Sequence, residues 1–585
     1  MRFSNLRNAL LAALTVWGCS QRDDALRPDS PLYQFTQGQA VQTTTTVTVH
    51  SAANNFSSSV GTKAINSTGT IVSSPGTLDA SGDNTIYWNV AFSGGPTGWV
   101  SGVFLAPSSG GTPGTDRYVS PTGSSSNSGT QSSPWSLQWA FDPTNTTLQA
   151  GDVVWLLPGT YGPDIDFTAD KSGAAGNPIV YRQHSSGHAI VDGRIRVHGN
   201  YLTFWGFEVM QSDPLTHDAA DWYDVESYGH DLKYINLVIH DASKSGIIVY
   251  WPTGPTEIYG CVIYNNGLDN NLDHGIYVQN SSTTGIARIE ENVIFDNTSH
   301  GIHAYTETNT LRNIQLVRNV SFNNGSTANP TWGYDQRPNL LVGGTIGGAT
   351  AIQVDSNYIF EQNAGAYEDG PTLQMGFGTE TNSDATLRNN TVWGGNAAVY
   401  FRTWSTGTVT DNVLRGGPTY NRLVDKAYQG TPLTGYTWTG NHYYATSTST
   451  VWWYNNGWRD LPTWQSSSYT GLANSGTAEN LPGTATTYLR TNKYDGSRAL
   501  LVIYNWQGTG TVSVSLSSFI SAGAQYTIRN VYDIYGTPVL QGTYDGNPVS
   551  VPMTGKTPPP LSGHGWSATG PTSGPYFNAF IVTTP

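Results

Sequence analysis

The sequence predicts an all-β chain built around a right-handed parallel β-helix. Two observations carry that reading. Between about residues 200 and 415 one phrase recurs, a short β-run opening on Gly or a small residue: Ser245-Gly-Ile-Ile-Val249, His274-Gly-Ile-Tyr-Val278, His300-Gly-Ile-His-Ala304, Asn339-Leu-Leu-Val342, Thr372-Leu-Gln-Met375 and Ala398-Val-Tyr-Phe401. Each is followed by a second run with an Asn-hydrophobic step, at Asn236, Cys261, Asn292, Asn319, Asn357, Asn390 and Asn412. Spacings of 25, 31, 27, 38, 33 and 22 residues are those of a solenoid whose loops vary while its core does not.

One turn of such a coil is too short to bury its own apolar face, so turns must stack at about 4.8 Å. The pairs Ile247/Val249, Ile276/Val278, Ile302/Ala304, Leu340/Val342, Leu373/Met375 and Val399/Phe401 are expected inside. An Asn at a fixed corner can stack on its copies, and Cys261 reads as a small buried filler of that column.

The remaining elements follow in order. Arg2 and Arg7, the apolar run Ala9 to Trp17 and Gly18-Cys19-Ser20 read as an export signal over 1–19. Val16, Gly18 and Cys19 resemble a bacterial lipoprotein signal, with bulky Trp17 a departure, which implies lipidation at Cys19 and a cell-surface or outer-membrane location, or else simple secretion. Residues 20–40, with Pro28 and Pro31, form a tether. Over 41–107, Thr68-Gly-Thr-Ile-Val72, Trp88-Asn-Val90 and Gly98-Trp-Val100 resemble a bacterial SH3-like barrel, a family that often binds cell-wall peptides. A Gly/Ser/Thr/Pro linker spans 108–116.

From 117 to 430, Tyr118-Val-Ser-Pro-Thr-Gly123, Pro158-Gly-Thr-Tyr161 and the repeats resemble secreted β-helix proteins, many of them polysaccharide lyases or glycoside hydrolases. A Tyr- and Trp-rich connecting segment occupies 431–484. Strands such as Ala499-Leu-Leu-Val-Ile-Tyr504 and Phe577-Asn-Ala-Phe-Ile-Val582 then predict a C-terminal β-sandwich over 485–585, similar to accessory domains of carbohydrate-active enzymes.

Charged residues make up 12% of the chain and the net charge is −14, which argues against nucleic acid or anionic membrane surfaces as partners. Two cysteines, Cys19 and Cys261, predict no disulfide.

A filled coil has no cavity inside, so a long ligand must lie along the outside. Register places Ile248, Tyr277, His303, Leu341, Gln374 and Tyr400 in one outward column, and Tyr250, Gln279, Tyr305, Gly343, Gly376 and Arg402 in the next. Aromatic faces stack on sugar rings, while imidazole and guanidinium address hydroxyls and carboxylates. Tyr277, His303, His274 and Asp273 are the candidate catalytic residues, Asp273 orienting His274 or raising its pKa. Tyr305, Gln279, Tyr250, Tyr400, Arg402, Trp332 and Arg337 are candidate substrate contacts.

Asp218, Asp221 and Asp224, in an acidic loop, are candidate Ca²⁺ ligands, or simply a solvated loop. β-Elimination needs a proton carrier and a cation for the uronate carboxylate, and Arg402 sits several turns from His303. Hydrolysis needs two facing carboxyls, for which Asp273, Glu307, Glu368 and Asp369 are the candidates. The expected function is cleavage of a polysaccharide by elimination, with hydrolysis and non-catalytic glycan or wall binding as the alternatives.

Overall fold

A computed structural model describes the chain except residues 1–39, 44–46, 54–56, 65–66, 74–76, 79–85, 103–104, 108–113, 218–221, 251, 253, 269–271, 326–336, 345, 362–369, 379, 418–421, 427–434, 455–456, 467–473 and 561–569. Two compact units divide at Gly111. The first is an antiparallel sheet in which Ile86–Phe92 pairs with Thr97–Ser101 and with Thr68–Ile71. Its core gathers Val41, Val49, Ile71, Trp88 and Val100, while Trp99 is half-buried.

The second unit is a parallel β-helix of three sheets. The first sheet stacks Val225–Ser227, Ile247–Tyr250, Ile276–Gln279, Ile302–Thr306, Leu340–Gly344, Pro371–Met375 and Ala397–Phe401. The second begins at Asp116–Val119 and Val153–Leu156 and continues through Leu202–Trp205 to Gly407–Thr410. The third runs from Glu208–Met210 to Val413–Arg415. All six inward pairs of the first sheet are buried. Period-2 alternation on a half-exposed strand leaves no other face for them.

The corner between the second and third sheets explains the Asn column. Asn292, Asn319, Asn357, Asn390, Asn412 and Asn441 are buried, and each side-chain amide donates to the next side-chain oxygen at 2.9–3.1 Å. Each oxygen also accepts the backbone N–H of the preceding member, so one side chain serves two rungs. Cys261 joins through its N–H to Asn292 and is fully buried, as a filler of the column.

Asn236 does not belong to the column. Val238 pairs with Val262, which makes Leu237 the equivalent of Cys261. Asn236 instead takes the left-handed corner position, with Gly260, Glu291, Arg318, Ser356, Asn389, Asp411 and Gly440, at φ between 52° and 67°. A second ladder, Asn266–Asn297–Asn324–Asn339, stands between the third and first sheets, behind its own left-handed residues Asn265, Asp296 and Asn323.

The parallel stacking runs on past residue 430, into what reads in sequence as a connecting segment. Tyr436–Tyr444 stacks on Gly407–Thr410 and Val413–Arg415, and Asn474–Glu479 stacks on it in turn. The repeated phrase fades there, but Asn441 holds the corner and Trp438, Trp452 and Trp464 fill the interior. The chain then returns along the coil as a five-stranded antiparallel sheet with a two-stranded ribbon over a shared core. Leu500, Val502, Tyr504, Trp506 and Phe577 cover the outer side of the third sheet, where Phe360 stacks on Phe577 and Trp393 on Trp506.

Replacing Asn357 by Ala strips the carbonyl that two groups of Asn319 donate to and leaves buried donors unmade, at about 1–3 kcal/mol each. The urea midpoint of Asn357→Ala is expected to fall clearly below that of Asn292→Ala, at the other end of the column, whose carbonyl accepts only the Cys261 N–H. Equal midpoints would mean that the ladder does not act as a chain.

Candidate functional site

The registers on the first sheet are those expected: Ile248, Tyr277, His303, Leu341, Gln374 and Tyr400 are neighbours in sequence of rungs, and Tyr250 pairs with Gln279 and Tyr305 with Gly343. Outward direction does not mean exposure, however. Ile248, Leu341, Tyr400 and Tyr305 are buried, and Tyr277, His303, Gln279, Tyr250 and Arg402 are half-buried. Solvent reaches the column around Tyr277 and His303.

There the rings form one continuous assembly. Tyr277 stacks on His303 at 5.2 Å and His303 on Tyr305 at 4.7 Å, with Phe377 edge-on to Tyr305. Rung spacing imposes the first contact, since residues at matched positions on adjacent strands stand about 4.8 Å apart, while His303 and Tyr305 share one side of a single strand two residues apart. His274 and His300 open successive rungs at the corner and close on His303 from the side, with ring centroids 4.2 and 4.6 Å from it. His300 holds its backbone bond as the His-Gly corner requires, Nδ1 lying 2.9 Å from the Pro338 carbonyl, yet it also belongs to the cluster.

The hydrogen bonds assign the ring protons. His300 Nδ1 must donate to Pro338, so its Nε2 carries the lone pair. His274 Nδ1 accepts the His300 backbone N–H at 3.3 Å, so its Nε2 carries the proton and donates to His303 Nδ1 at 2.8 Å. His303 Nε2 is then a donor.

All three rings are neutral. Burial, reinforced by the Arg337 charge, holds His300 at about 3, and it holds His274 and His303 well below the ordinary value, with the neighbouring histidines adding to the effect. Asp273 therefore does not raise the His274 pKa. It is itself buried, and burial outweighs it. Tyr277 is pushed up to about 12 by burial, and its hydroxyl accepts from Gln279 Nε2 at 2.7 Å, leaving its own proton free to donate.

The ring nitrogens of His274, His300 and His303 lie within 4.8 Å of one another, close enough to be tested as a metal centre. Two nitrogens on one tetrahedral zinc stand about 3.4 Å apart, whereas His274 and His303 are at hydrogen-bond distance. A ligating His also gives its second N–H to an acceptor, and His274 instead faces a backbone donor. The arrangement suits a hydrogen-bonded relay better than a zinc ion.

Arg402 lies flat over Tyr400, 3.8 Å from its centroid, several rungs from His303. Arg337, by contrast, is near enough for its charge to act on all three histidines. The long insertion brings it there, a placement no spacing rule predicts. Trp332, Asp218, Asp221, Glu368, Asp369 and Cys19 lie outside the described residues. Asp224 is fully buried, bonded by Gln211, and burial raises its pKa well above its ordinary value. Nearby acids are taken up separately, Glu226 by Arg194 and Tyr228, Asp231 by His230.

Sequence reasoning missed the surface that continues this groove toward the first rungs. His198, Tyr228 and Tyr250 stack at 5.0 and 4.9 Å, beside Arg194 and Arg196, which share Asp166. The matched positions of His198 and Tyr228 on adjacent rungs are the signal that could have found them.

Fold and site together define a parallel β-helix protein with a histidine–tyrosine groove on its first sheet. No family model matches the chain. It is 39% identical to pectate lyase PEL9 of Emericella nidulans over 79 residues, 13% of this chain and 18% of that protein. It is 23% identical to the uncharacterized protein YwoF of Bacillus subtilis over 222 residues, 37% of this chain and 44% of that one. The chain thus spans less than half the length of these curated relatives.

Similar solved structures include pectate lyase Pel9A (18% identity, TM-score 0.35, 52% of this chain and 78% of that) and an alginate lyase from Paenibacillus sp. str. FPU-7 (16%, 0.33, 53% and 97%). XylC with xylose is similar at 11% identity and a TM-score of 0.38, over 80% of this chain and all of that one.

Neutral buried histidines give the stability a definite pH sense. Below about 6.5 the unfolded chain takes up protons that the folded rings refuse, so stability falls by about 1.4 kcal/mol per pH unit for each such ring as pH drops toward 3. Thermal unfolding followed from pH 7 to 4 is expected to show this loss, and His300→Gln to flatten it. An unchanged slope in the variant would mean that His300 is protonated in the folded chain.

Proposed function

We propose that the chain is a carbohydrate-active enzyme that cleaves an acidic polysaccharide by β-elimination along the outer face of the first sheet. The observation that carries this reading is the meeting of a neutral imidazole cluster, a protonated phenol and the Arg337 charge at one place in the groove.

Elimination from a uronate requires three things: neutralisation of the carboxylate, removal of the proton beside it, and protonation of the leaving glycosidic oxygen. Arg337 supplies the charge. Tyr277 supplies the proton to the leaving oxygen, since its phenol stays protonated at neutral pH and Gln279 fixes it as acceptor on the other side. The imidazole pair takes the substrate proton at His303 Nε2. That requires the opposite tautomer of the pair, with His303 Nδ1–H donating to His274, at the loss of the 3.3 Å bond from the His300 amide, about 1 kcal/mol. The low imidazole pKa keeps the base unprotonated but weak, so the Arg337 charge on the carboxylate must supply much of the acidity of the substrate proton.

The stacked rings of Tyr305, Tyr250 and Tyr228 support the polymer on either side, because sugar faces pack on aromatic faces. Local likeness to a pectate lyase points in the same direction. Hydrolysis has less support. Glu307 is exposed and its charge acts on Tyr277, but Asp273 is buried, which leaves Glu307 without a second accessible carboxyl among the described candidates. The export-signal pattern ending at Cys19 places the enzyme outside the cytoplasm in the same reading, with the N-terminal unit as a wall-peptide binder.

Full-length protein incubated with polygalacturonate, alginate and neutral glycans is expected to release unsaturated uronates, read by their ultraviolet absorbance, from an acidic polymer only. His303→Ala and Tyr277→Phe should lower kcat by about 10²-fold or more while unfolding stays cooperative, with a lower midpoint in His303→Ala because the His274 Nε2–H loses its acceptor. Arg337→Ala should lower kcat on the acidic polymer likewise. Product without the unsaturated chromophore, or near-normal turnover in either of the first two variants, would overturn elimination at this site.

A further inference from the structure

A second place on the coil is built to take a ligand, on a different sheet from the histidine groove. At the first rungs of the second sheet, Tyr118, Trp155, Arg182 and Trp205 occupy one matched outward position on four successive strands. Around them lies a recess of about 380 Å³ lined by Asp116, Tyr118, Trp155, Arg182 and His184. None of these residues belongs to the site already described.

Arg182 is the informative member. Its guanidinium sits 4.0 Å from the Trp205 ring centroid and 5.6 Å from that of Trp155, between two indoles. Several arginines of the coil are held by carboxylates, as Arg117 is by Asp152, Arg194 by Asp166 and Arg388 by Asp355, whereas Arg182, like Arg415 over Trp393, is held by rings. Among the described residues Arg182 makes no hydrogen bond, and the one carboxylate whose charge acts on it, Asp495, is bonded to Ser497 instead. Stacking fixes the plane of its donors without using them, which leaves a planar fork suited to a carboxylate.

The neighbours complete the recognition. Ser186 gives its backbone N–H to His184 Nδ1 at 3.1 Å, so the neutral ring carries its proton on Nε2, a second donor. Asp116 accepts from the Trp155 indole at 2.8 Å, which orients that ring and leaves one carboxylate oxygen for a hydroxyl. Tyr118 and His184 close the box, their rings 6.0 Å apart, with Trp155 5.8 Å from His184. Apolar ring faces, an anion fork and one hydroxyl acceptor are the features of a carboxylated pyranose.

We propose that this recess is a separate subsite for a uronic-acid residue of a glycan, with Arg182 reading the carboxylate and Trp155 the sugar face. It goes beyond the catalytic reading, because it can hold a chain whether or not the first sheet cleaves one.

The test is titration calorimetry of trigalacturonate and of its methyl ester into the full-length His303→Ala protein, with and without Arg182→Ala, thermal unfolding serving as the check on folding. Loss of one binding event in Arg182→Ala, and affinity at least 10-fold weaker for the ester at that event, are expected. If the groove on the first sheet also binds, the stoichiometry falls from two to one. If that groove binds nothing, it falls from one to none, so failure of the catalytic reading is seen separately. Equal stoichiometry with and without Arg182, equal affinity for acid and ester, or no binding at all would overturn the subsite.

Discussion

Every functional arrangement on this coil depends on the corner between its sheets. A single residue in the left-handed region turns the chain, and the Asn that follows it carries two hydrogen bonds to the rung beside it. Left-handed backbone costs about 1 kcal/mol or more in a residue other than Gly. Asn and Asp tolerate it best, and they recur at these corners. Because the buried amide must be satisfied, the ladder permits one stacking register only. Slipping a rung by one residue would orphan the amide and turn the apolar face outward together.

Fixed register is what lets residues distant in sequence act as one surface. Tyr277, His303 and Leu341 stand in a line because their corners do, and stacked rings at rung spacing follow without further instruction. The three faces are used differently. The third is closed by the C-terminal sheet, whose Lys493 also bonds Glu257 and Glu290 at its margin. The first stays open as a groove. The second opens at its first rungs, ahead of the segment around Tyr494 that packs on Trp205.

Much of this was legible in the residues. Period-2 alternation named the interior pairs, and the repeated phrase named the outward columns correctly. Three things were not legible. Asn236 looked like a ladder member because its spacing was right, but strand pairing puts it one residue early. The coil beyond residue 430 lacked the phrase, since Trp residues replace small aliphatics where the stack ends. Burial of Ile248, Leu341 and Tyr400 on an outward face leaves no periodic trace.

The histidines show the division most sharply. Their types and positions are a matter of sequence, and so is their convergence, given the rung repeat. Their charge is not. Whether imidazole at such a corner is cationic or neutral depends on how much water the surrounding turns exclude and on which cation they deliver. Here burial wins and Arg337 is the cation delivered. The chain alone thus determined the coil, its register and the chemical types lining it, because these follow from local period and corner geometry. Only the tertiary structure decided which of those groups are dry, which are neutral and which are neighbours, because solvent exclusion is a property of the assembled surface.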